Sequence, residues 1–430
     1  MSHINTVQPS IKQDEERSVN AEQAIIIAQK DIEALNLRQE TFTFGNTLPI
    51  YETRIFDQQN NLLARGTGKG IYPFNKAGAI FEAIEHLFGV SLPPSPHNLI
   101  PKTTSFLASQ SITDQYIPFQ LLQDFPDQQI YCTEFHCYDK PNQTLYLPTF
   151  LWSPHLCCSP EYYRSDDNLE LSSVLLKYAC NSGVASGLTP DDAILHGINE
   201  GIERDGHGRL LYKYFYNDPN PINPLPIIET STLPAELLKE IRDIEHQLGD
   251  TCILINATSD LGIPVIGAIF KNYHLSHNIP APGFGCSLFP EIAIRRAVYE
   301  AIQIMNGADY YPEQRREAYE EDLQRVQEHE AYTRCVTFNI SAYEQYIGYE
   351  PQSFNRLYSH TITCAPISVH KQIKLLTEHL QAYNLNIYTH TLKQLKHNTI
   401  IISTQIPGLS LFYLTASGMM IPPTGRTSCL

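Results

Sequence analysis

Three apolar helical runs in this chain each carry, along one face, a polar line one residue wide: two glutamates in the first and second, a glutamate and a glutamine in the third. In the first run Gly78, Glu82, Glu85 and Gly89 share a face, while Ile80, Phe81, Ile84, Leu87 and Phe88 fill the rest. In the second, His196, Glu200, Glu203 and His207 stand against Ile194, Leu195, Ile198 and Ile202. The third reads Ala293, Arg296, Glu300, Gln303 and Gly307 among Ile292, Ile294, Val298, Ile302 and Ile304. Positions three and four apart lie on the same side of a helix. With 46 acidic residues in 430, about five such acid pairs arise by chance, so spacing alone decides nothing. Their surroundings do. A solvated face is broad and mixed in sign, whereas a narrow acidic stripe on an apolar helix points to carboxylates facing an internal cavity. A single pair reads as a salt-bridged or solvated feature; three together do not.

Carboxylates converging in a low-dielectric site repel one another unless cations neutralise them, and ligands made only of oxygen select hard ions such as Mg²⁺. Mg²⁺ held by a few carboxylates keeps positions for phosphate oxygens, which makes a nucleoside triphosphate the natural guest. Lys69, Arg204, Arg295 and Arg296 all fall near glycine-rich or helix-terminal sequence, and Lys69 and Arg296 would bring positive charge to such phosphates. The site is not a P-loop: Gly70 follows Gly68-Lys69 where Ser or Thr is required, and Leu63 stands at the first glycine position. GxGxxG after a strand, GxSxG, HExxH and the kinase motifs are missing as well. His196 and His207 read as hydrogen-bonded helix histidines rather than bases. The ten cysteines include no CxxC pair. Cys132 and Cys137 flanking His136, and the Cys157-Cys158 doublet, read as reduced thiols in strands or loops rather than metal ligands.

At 430 residues, with 42% hydrophobic and 18% charged residues, the chain is expected to fold as one large domain or two joined ones. A net charge of −16 without a Lys/Arg cluster speaks against nucleic acid as a partner. No run approaches the roughly 20 apolar residues of a membrane helix, and the polar N-terminus lacks a signal-peptide pattern, so a cytoplasmic protein is expected. Residues 1–20 read as a polar tail and 21–430 as the folded domain. Helical spacing begins at Ala21–Leu35, and Thr41–Ile55 alternates like strands. A unit then occurs twice. An extended run over Arg54–Arg65 leads through Gly66-Thr67-Gly68-Lys69-Gly70 into a helix over Asn75–Phe88. Val174–Cys180 leads through Asn181-Ser182-Gly183-Val184-Ala185-Ser186-Gly187 and Thr189-Pro190-Asp191-Asp192 into a helix to Tyr212. Pro219–Pro226 reads as a linker or a substrate-facing loop, followed by a helix over Pro234–Leu248 and strands over Cys252–Thr258 and Val265–Phe270. A glycine turn at Gly283-Phe284-Gly285 and a helix over Pro290–Met305 come next, then a charged run, Glu313–Tyr332, and a strand over Thr399–Ile406. The mixture predicts an α+β fold, mixed sheets covered by helices.

These residues resemble the YcaO family, whose pattern reads GKG, SxxxExxER, SNGxAxG, ExxER, GxG and an RxxxExxQ helix. Here the corresponding segments are Gly68-Lys69-Gly70, Gly78 through His86, Asn181 through Gly187, Glu200 through Asp205, Gly283-Phe284-Gly285 and Arg296 through Gln303. The resemblance implies the family's fold with ATP and Mg²⁺ as cofactors and ATP-dependent activation of a peptide backbone amide. Carried over by position, Glu82, Glu85, Glu200 and Glu203 would be metal and phosphate ligands, and Lys69, Gly78 and Ser182 would border the nucleotide. Arg296 would contact phosphate, Glu300 and Gln303 would complete the nucleotide site, and Glu203, Arg204 and Arg296 are the candidate catalytic set. The expected partners are a peptide substrate and a leader-binding protein, with a homodimer as the expected assembly. Gly78 replaces the family's serine, His86 its arginine and Ser182 its asparagine, and the end of the chain lacks the PxPxP of azoline-forming members. The departures at Gly78, His86 and Ser182 leave open a non-catalytic paralogue that binds peptide or partner, and a further alternative is an enzyme acting on an intact protein such as a ribosomal protein.

Overall fold

We describe the protein from a computed structural model that covers residues 16–45, 48–92, 99–154, 169–218, 223–277, 279–359 and 367–428. Helix α1 (Ala21–Ala34) precedes three antiparallel strands, β1 (Arg38–Phe44), β2 (Ile50–Phe56) and β3 (Leu62–Gly68), and helix α2 (Phe74–His86). Strands β4 (Ile100–Thr103), β5 (Gln129–Cys137), β6 (Thr144–Pro148) and β7 (Val184–Gly187) follow, then helix α3 (Pro190–Leu211). Next come β8 (Leu225–Ile228), β9 (Cys252–Asn256), β10 (Val265–Phe270), β11 (Gly283–Cys286), helix α4 (Pro290–Tyr310), β12 (Tyr349–Gln352), β13 (Tyr388–Gln394) and β14 (Ile400–Gln405). The second sheet runs β4-β5-β13-β14-β7 with β6 alongside β5, and the third runs β11-β10-β9-β8-β12. This is the α+β arrangement expected, with helices laid over mixed sheets.

The strand–turn–helix unit visible twice in the sequence occurs three times, as β3–α2, β7–α3 and β11–α4. Helices α3 and α4 start at Pro190 and Pro290, whose fixed φ suits a first turn, and Pro73 is the N-cap residue of α2. Helix α3 adds reciprocal capping, in which Thr189 Oγ1 accepts from Asp192 N (3.2 Å) and Asp192 Oδ2 accepts from Thr189 N (3.2 Å). Each helix then folds back onto its own strand, and glycine makes the approach possible. A Cβ at Gly68 would lie 1.6 Å from the Asn75 carbonyl oxygen, and one at Gly283 2.2 Å from Ala301 N. Gly283-Phe284-Gly285 is therefore a strand and not the turn expected: its glycines serve helix contact rather than chain reversal.

Two further expectations change. Val174–Cys180 is not extended, because residues 169–178 are helical, and the strand of this unit, β7, is formed by Val184–Gly187 of the glycine-rich motif. Leu225 and Pro226, read as the end of a linker, belong to β8; residues 219–222 of that segment, and Cys157-Cys158, lie outside the described residues.

Helix α3 sits between two sheets. Ile194, Leu195, Ile198 and Ile202 pack with Ile255 and Val265 of the third sheet and with Ile400 and Ile402 of the second. Helix α2 joins the first and second sheets through Ile80, Ile84, Ile55 and Ile401, and α4 covers the third through Ala297, Val298, Leu254 and Ile266. Each such side chain contributes roughly 1.5–3 kcal/mol, which holds the apolar faces inward and leaves the acidic stripes facing one another.

Candidate functional site

The stripes of α2, α3 and α4 meet around one cavity of 470 Å³. Lys69 and the stripe of Gly78, Glu82 and Glu85 form one wall. Glu200, Glu203 and Arg204 form the second, and Arg296, Glu300 and Gln303 the third. Ser182 stands just behind the wall, beside the lining residue Asn181, and its hydroxyl donates to Glu200 Oε1 (3.1 Å). His196 lines the cavity too, whereas His207 does not. The His207 ring stacks on Phe284 with centroids 3.9 Å apart, and neither nitrogen has a hydrogen-bond partner, contrary to the bonded helix histidine expected. Gly89, at the end of the first stripe, faces Val184 instead.

The carboxylates are held by fixed donors. Glu82 Oε2 accepts from Thr67 N (3.0 Å), and Thr67 Oγ1 in turn accepts from Gln303 Nε2 (2.6 Å). Glu85 Oε1 accepts from Ser186 N (2.7 Å) and Ser186 Oγ (2.9 Å), which links α2 to strand β7. Glu200 accepts from Gly183 N (3.1 Å), and Arg204 lies 3.6 Å from Glu200 and 3.8 Å from Glu203. Lys69 forms an ion pair with Glu300.

These contacts do not balance the negative charge. Burial pushes Glu85 up to about 8 despite its two donors from Ser186. It also pushes Glu203 up to about 7, with Glu300 adding to the shift and Arg204 opposing it. Glu82 is raised as well, again chiefly by burial. Burial, reinforced by Arg17, Arg296 and Lys69, lowers His196 far enough to keep it neutral. A cavity whose carboxylates hold protons this tightly has room for added positive charge.

Sequence reasoning missed the contribution of the N-terminal segment. Glu16 and Arg17 fall in the expected polar tail, yet Glu16 is 0% exposed. Its carboxylate lies 2.5 Å from Arg296 Nη2 and accepts from Ser287 Oγ (2.5 Å). Arg17 lines the cavity, with Nη2 3.0 Å from His196 Nδ1, and Ser18 N donates to Asp192 Oδ1 (2.8 Å). Nothing local marks these residues, since their partners lie more than 170 positions away. Arg296, the candidate phosphate contact, therefore has two protein partners, Glu16 and the Cys286 carbonyl oxygen (2.7 Å).

Among the described residues no three His, Cys, Asp or Glu side chains are grouped closely enough to hold a metal by themselves. Carboxylates on separate walls, with Lys69, Arg17 and Arg296 between them, suit instead a divalent cation shared with phosphate oxygens. Cys132, Cys137 and His136 form no alternative: the two cysteines are buried and free, whereas His136 is exposed. No helix among the described residues is long and apolar enough to cross a membrane.

Fold and site together define an α+β nucleotide-binding protein that lacks a P-loop. The model of the YcaO cyclodehydratase family, described as ATP- and Mg²⁺-binding, matches residues 67–410, and the chain belongs to that family. The expected cofactors, ATP and Mg²⁺, are those of the family. Among solved structures, YcaO from Methanopyrus kandleri bound with AMPPCP and Mg²⁺ is similar over 96% of this chain and 99% of its own, with a TM-score of 0.64 and 16% identity. A heterocyclase in complex with substrate and cofactor is similar over 92% of this chain but 53% of its own, with a TM-score of 0.61 and 19% identity. At these identities the likeness is one of fold. An uncharacterized protein from the tfuA 3′ region of Rhizobium leguminosarum bv. trifolii is 31% identical over 133 residues, which is 29% of this chain and 30% of that protein. One from Methanothermobacter thermautotrophicus is 28% identical over 123 residues, 28% of this chain and 30% of its own length. The matched segment thus spans under a third of either relative.

Proposed function

We propose that this protein uses ATP and Mg²⁺ to activate a backbone amide of a peptide by O-phosphorylation, within the maturation of a ribosomally made peptide. The observation that carries this reading is the convergence of three carboxylate-bearing helices with Lys69 and Arg296 on one cavity. In that chemistry a nucleophile adds to the amide carbon, and bound MgATP supplies the γ-phosphoryl group to the amide oxygen, which then leaves as phosphate. Glu82, Glu85, Glu200 and Glu203 would hold Mg²⁺ against the phosphates. Arg296 and Lys69 would neutralise phosphate charge, and Arg204 fixes Glu200 and Glu203. Thr67 and Gln303 hold Glu82 in place. The product follows from the nucleophile: a Cys, Ser or Thr side chain gives an azoline, sulfide a thioamide, an amine an amidine. A leader-binding partner, a homodimer and a cytoplasmic setting belong to the same reading. The catalytic unit in this reading begins at Glu16 rather than at residue 21.

One observation favours a second reading, a non-catalytic module that binds peptide or partner: His86, in place of the family's arginine, turns to the Arg65 carbonyl (2.6 Å) and brings Glu82 and Glu85 no direct ion pair. Calorimetric titration of MgATP separates the two. Wild type should bind only with Mg²⁺ present, and Glu203→Gln, which keeps shape and removes charge, should bind roughly 10–100-fold more weakly. A wild type that binds no nucleotide favours the non-catalytic module.

A further inference from the structure

Asn199 stands on α3 one turn beyond His196 and one turn before Glu203, and all three line the cavity. The residue is 3% exposed, and among the described residues neither Oδ1 nor Nδ2 has a hydrogen-bond partner. A buried carboxamide that gives up water on both atoms and receives nothing in return is rare in native proteins and marks a place where a ligand group completes the bonding. His207, the other orphaned polar side chain of this helix face, lies outside the cavity lining and carries no such implication.

The chemistry of the missing partner follows from the two atoms. Nδ2 donates and Oδ1 accepts, so the complementary group presents an acceptor and a donor side by side. Phosphate offers acceptors alone and would leave Oδ1 unpaired. Two groups in the proposed reaction fit: the edge of adenine, which a carboxamide can bond through two contacts, and one residue of an extended peptide, whose own N–H and C=O point to the same side.

Position decides between them. His196, the neighbour of Asn199 on this face, is bonded to Arg17 and feels Arg296 and Lys69, so this is the cationic end of the cavity. The apolar lining that suits a base includes Phe74, Ala77 and Phe81 of α2, on another wall of the cavity. An amide that receives a phosphoryl group has to lie at the phosphate end. We propose that Asn199 is a substrate-contacting residue, whose carboxamide grips the N–H and C=O of one residue of the extended peptide and sets the neighbouring amide beside the transferred phosphoryl group. This rests on reading the cavity as an ATP-dependent amide-activating site.

The test follows the Asn199 side-chain NH₂ resonances in full-length protein labelled with ¹⁵N-asparagine, assigned by their loss in Asn199→Asp or, should that variant not fold, Asn199→Ser. The probes are Mg²⁺ with a non-hydrolysable ATP analogue, and N-acetylglycine N-methylamide, the smallest molecule carrying N–H and C=O on one residue. Saturable movement of both NH₂ signals when the amide probe joins nucleotide-loaded protein is the result expected. Signals that move with nucleotide and no further with the amide place the base or phosphate on Asn199 and overturn the proposal, as do signals indifferent to both. Nucleotide binding is read separately by calorimetry. A protein that binds no nucleotide while its Asn199 signals respond to the amide sinks the ATP-dependent reading and leaves peptide contact standing.

Discussion

On the α3 wall of the cavity the two carboxylates share a cation, Arg204 at 3.6 and 3.8 Å; on the α2 wall they do not. His86, one position beyond Glu85 as Arg204 is beyond Glu203, is turned to the Arg65 carbonyl, so Glu82 and Glu85 are bonded only by neutral donors of Thr67 and Ser186. Neutral hydrogen bonds offset the burial of a carboxylate less fully than a cation does. Burial pushes Glu85 up to about 8 and Glu203 up to about 7, and only the second rise is opposed by an arginine, Arg204. The contrast teaches that the α2 wall depends more on an incoming cation, while the α3 wall is partly neutralised in advance.

The largest effect should come from removing that advance neutralisation. Arg204→Met leaves Glu200 and Glu203 without their shared cation and should lower stability by roughly 3 kcal/mol in urea unfolding; an unchanged midpoint would erase the distinction between the walls. Next is the pH dependence of the metal-free protein. Glu85 and Glu203 have folded pKa values above their unfolded ones, so the stability they contribute is complete below the ordinary carboxylate range, near 4.5, and is lost as pH rises through about 7 to 8. Stability should therefore fall steadily between pH 5 and 8, and Glu85→Gln should remove the larger part of that slope.

A cation restored to the α2 wall should make the two sides alike. His86→Arg is expected to lower the pH at which Glu85 titrates by about one unit, worth about 1.4 kcal/mol, read from carboxyl ¹³C shifts; no movement would show that an arginine there points away from the pair. The smallest effect belongs to Gly78→Ser. A Cβ at Gly78 meets only Gly68 Cα at 3.4 Å, so stability should change by less than about 0.5 kcal/mol and MgATP affinity should hold or improve.

The acidic stripes, the proline-started helices and the missing P-loop are local facts. Period and neighbours on a helix face depend on residues within one or two turns, so Glu82, Glu85, Glu200, Glu203, Arg296, Glu300 and Gln303 could be picked out from the linear chain. The misread segments have an equally physical cause. Glycines at 283 and 285 carry turn-like chemistry, and only the arrival of α4 shows that they are flat strand positions kept bare for a helix. Glu16 and Arg17 are polar residues at the edge of a polar run, and their burial comes from partners more than 170 positions distant.

Which helices carry charge on an apolar body is legible in the linear chain, because amphipathic period is written in neighbouring residues. That the three stripes face one cavity, that α3 alone among the two glutamate-pair helices keeps an arginine bridge, and that Asn199 stands in that wall without a partner among the described residues are facts of the folded chain. Those outcomes depend on the crossing of elements far apart in the chain, where the energy of a buried charge or amide is set by what arrives opposite it and not by what adjoins it.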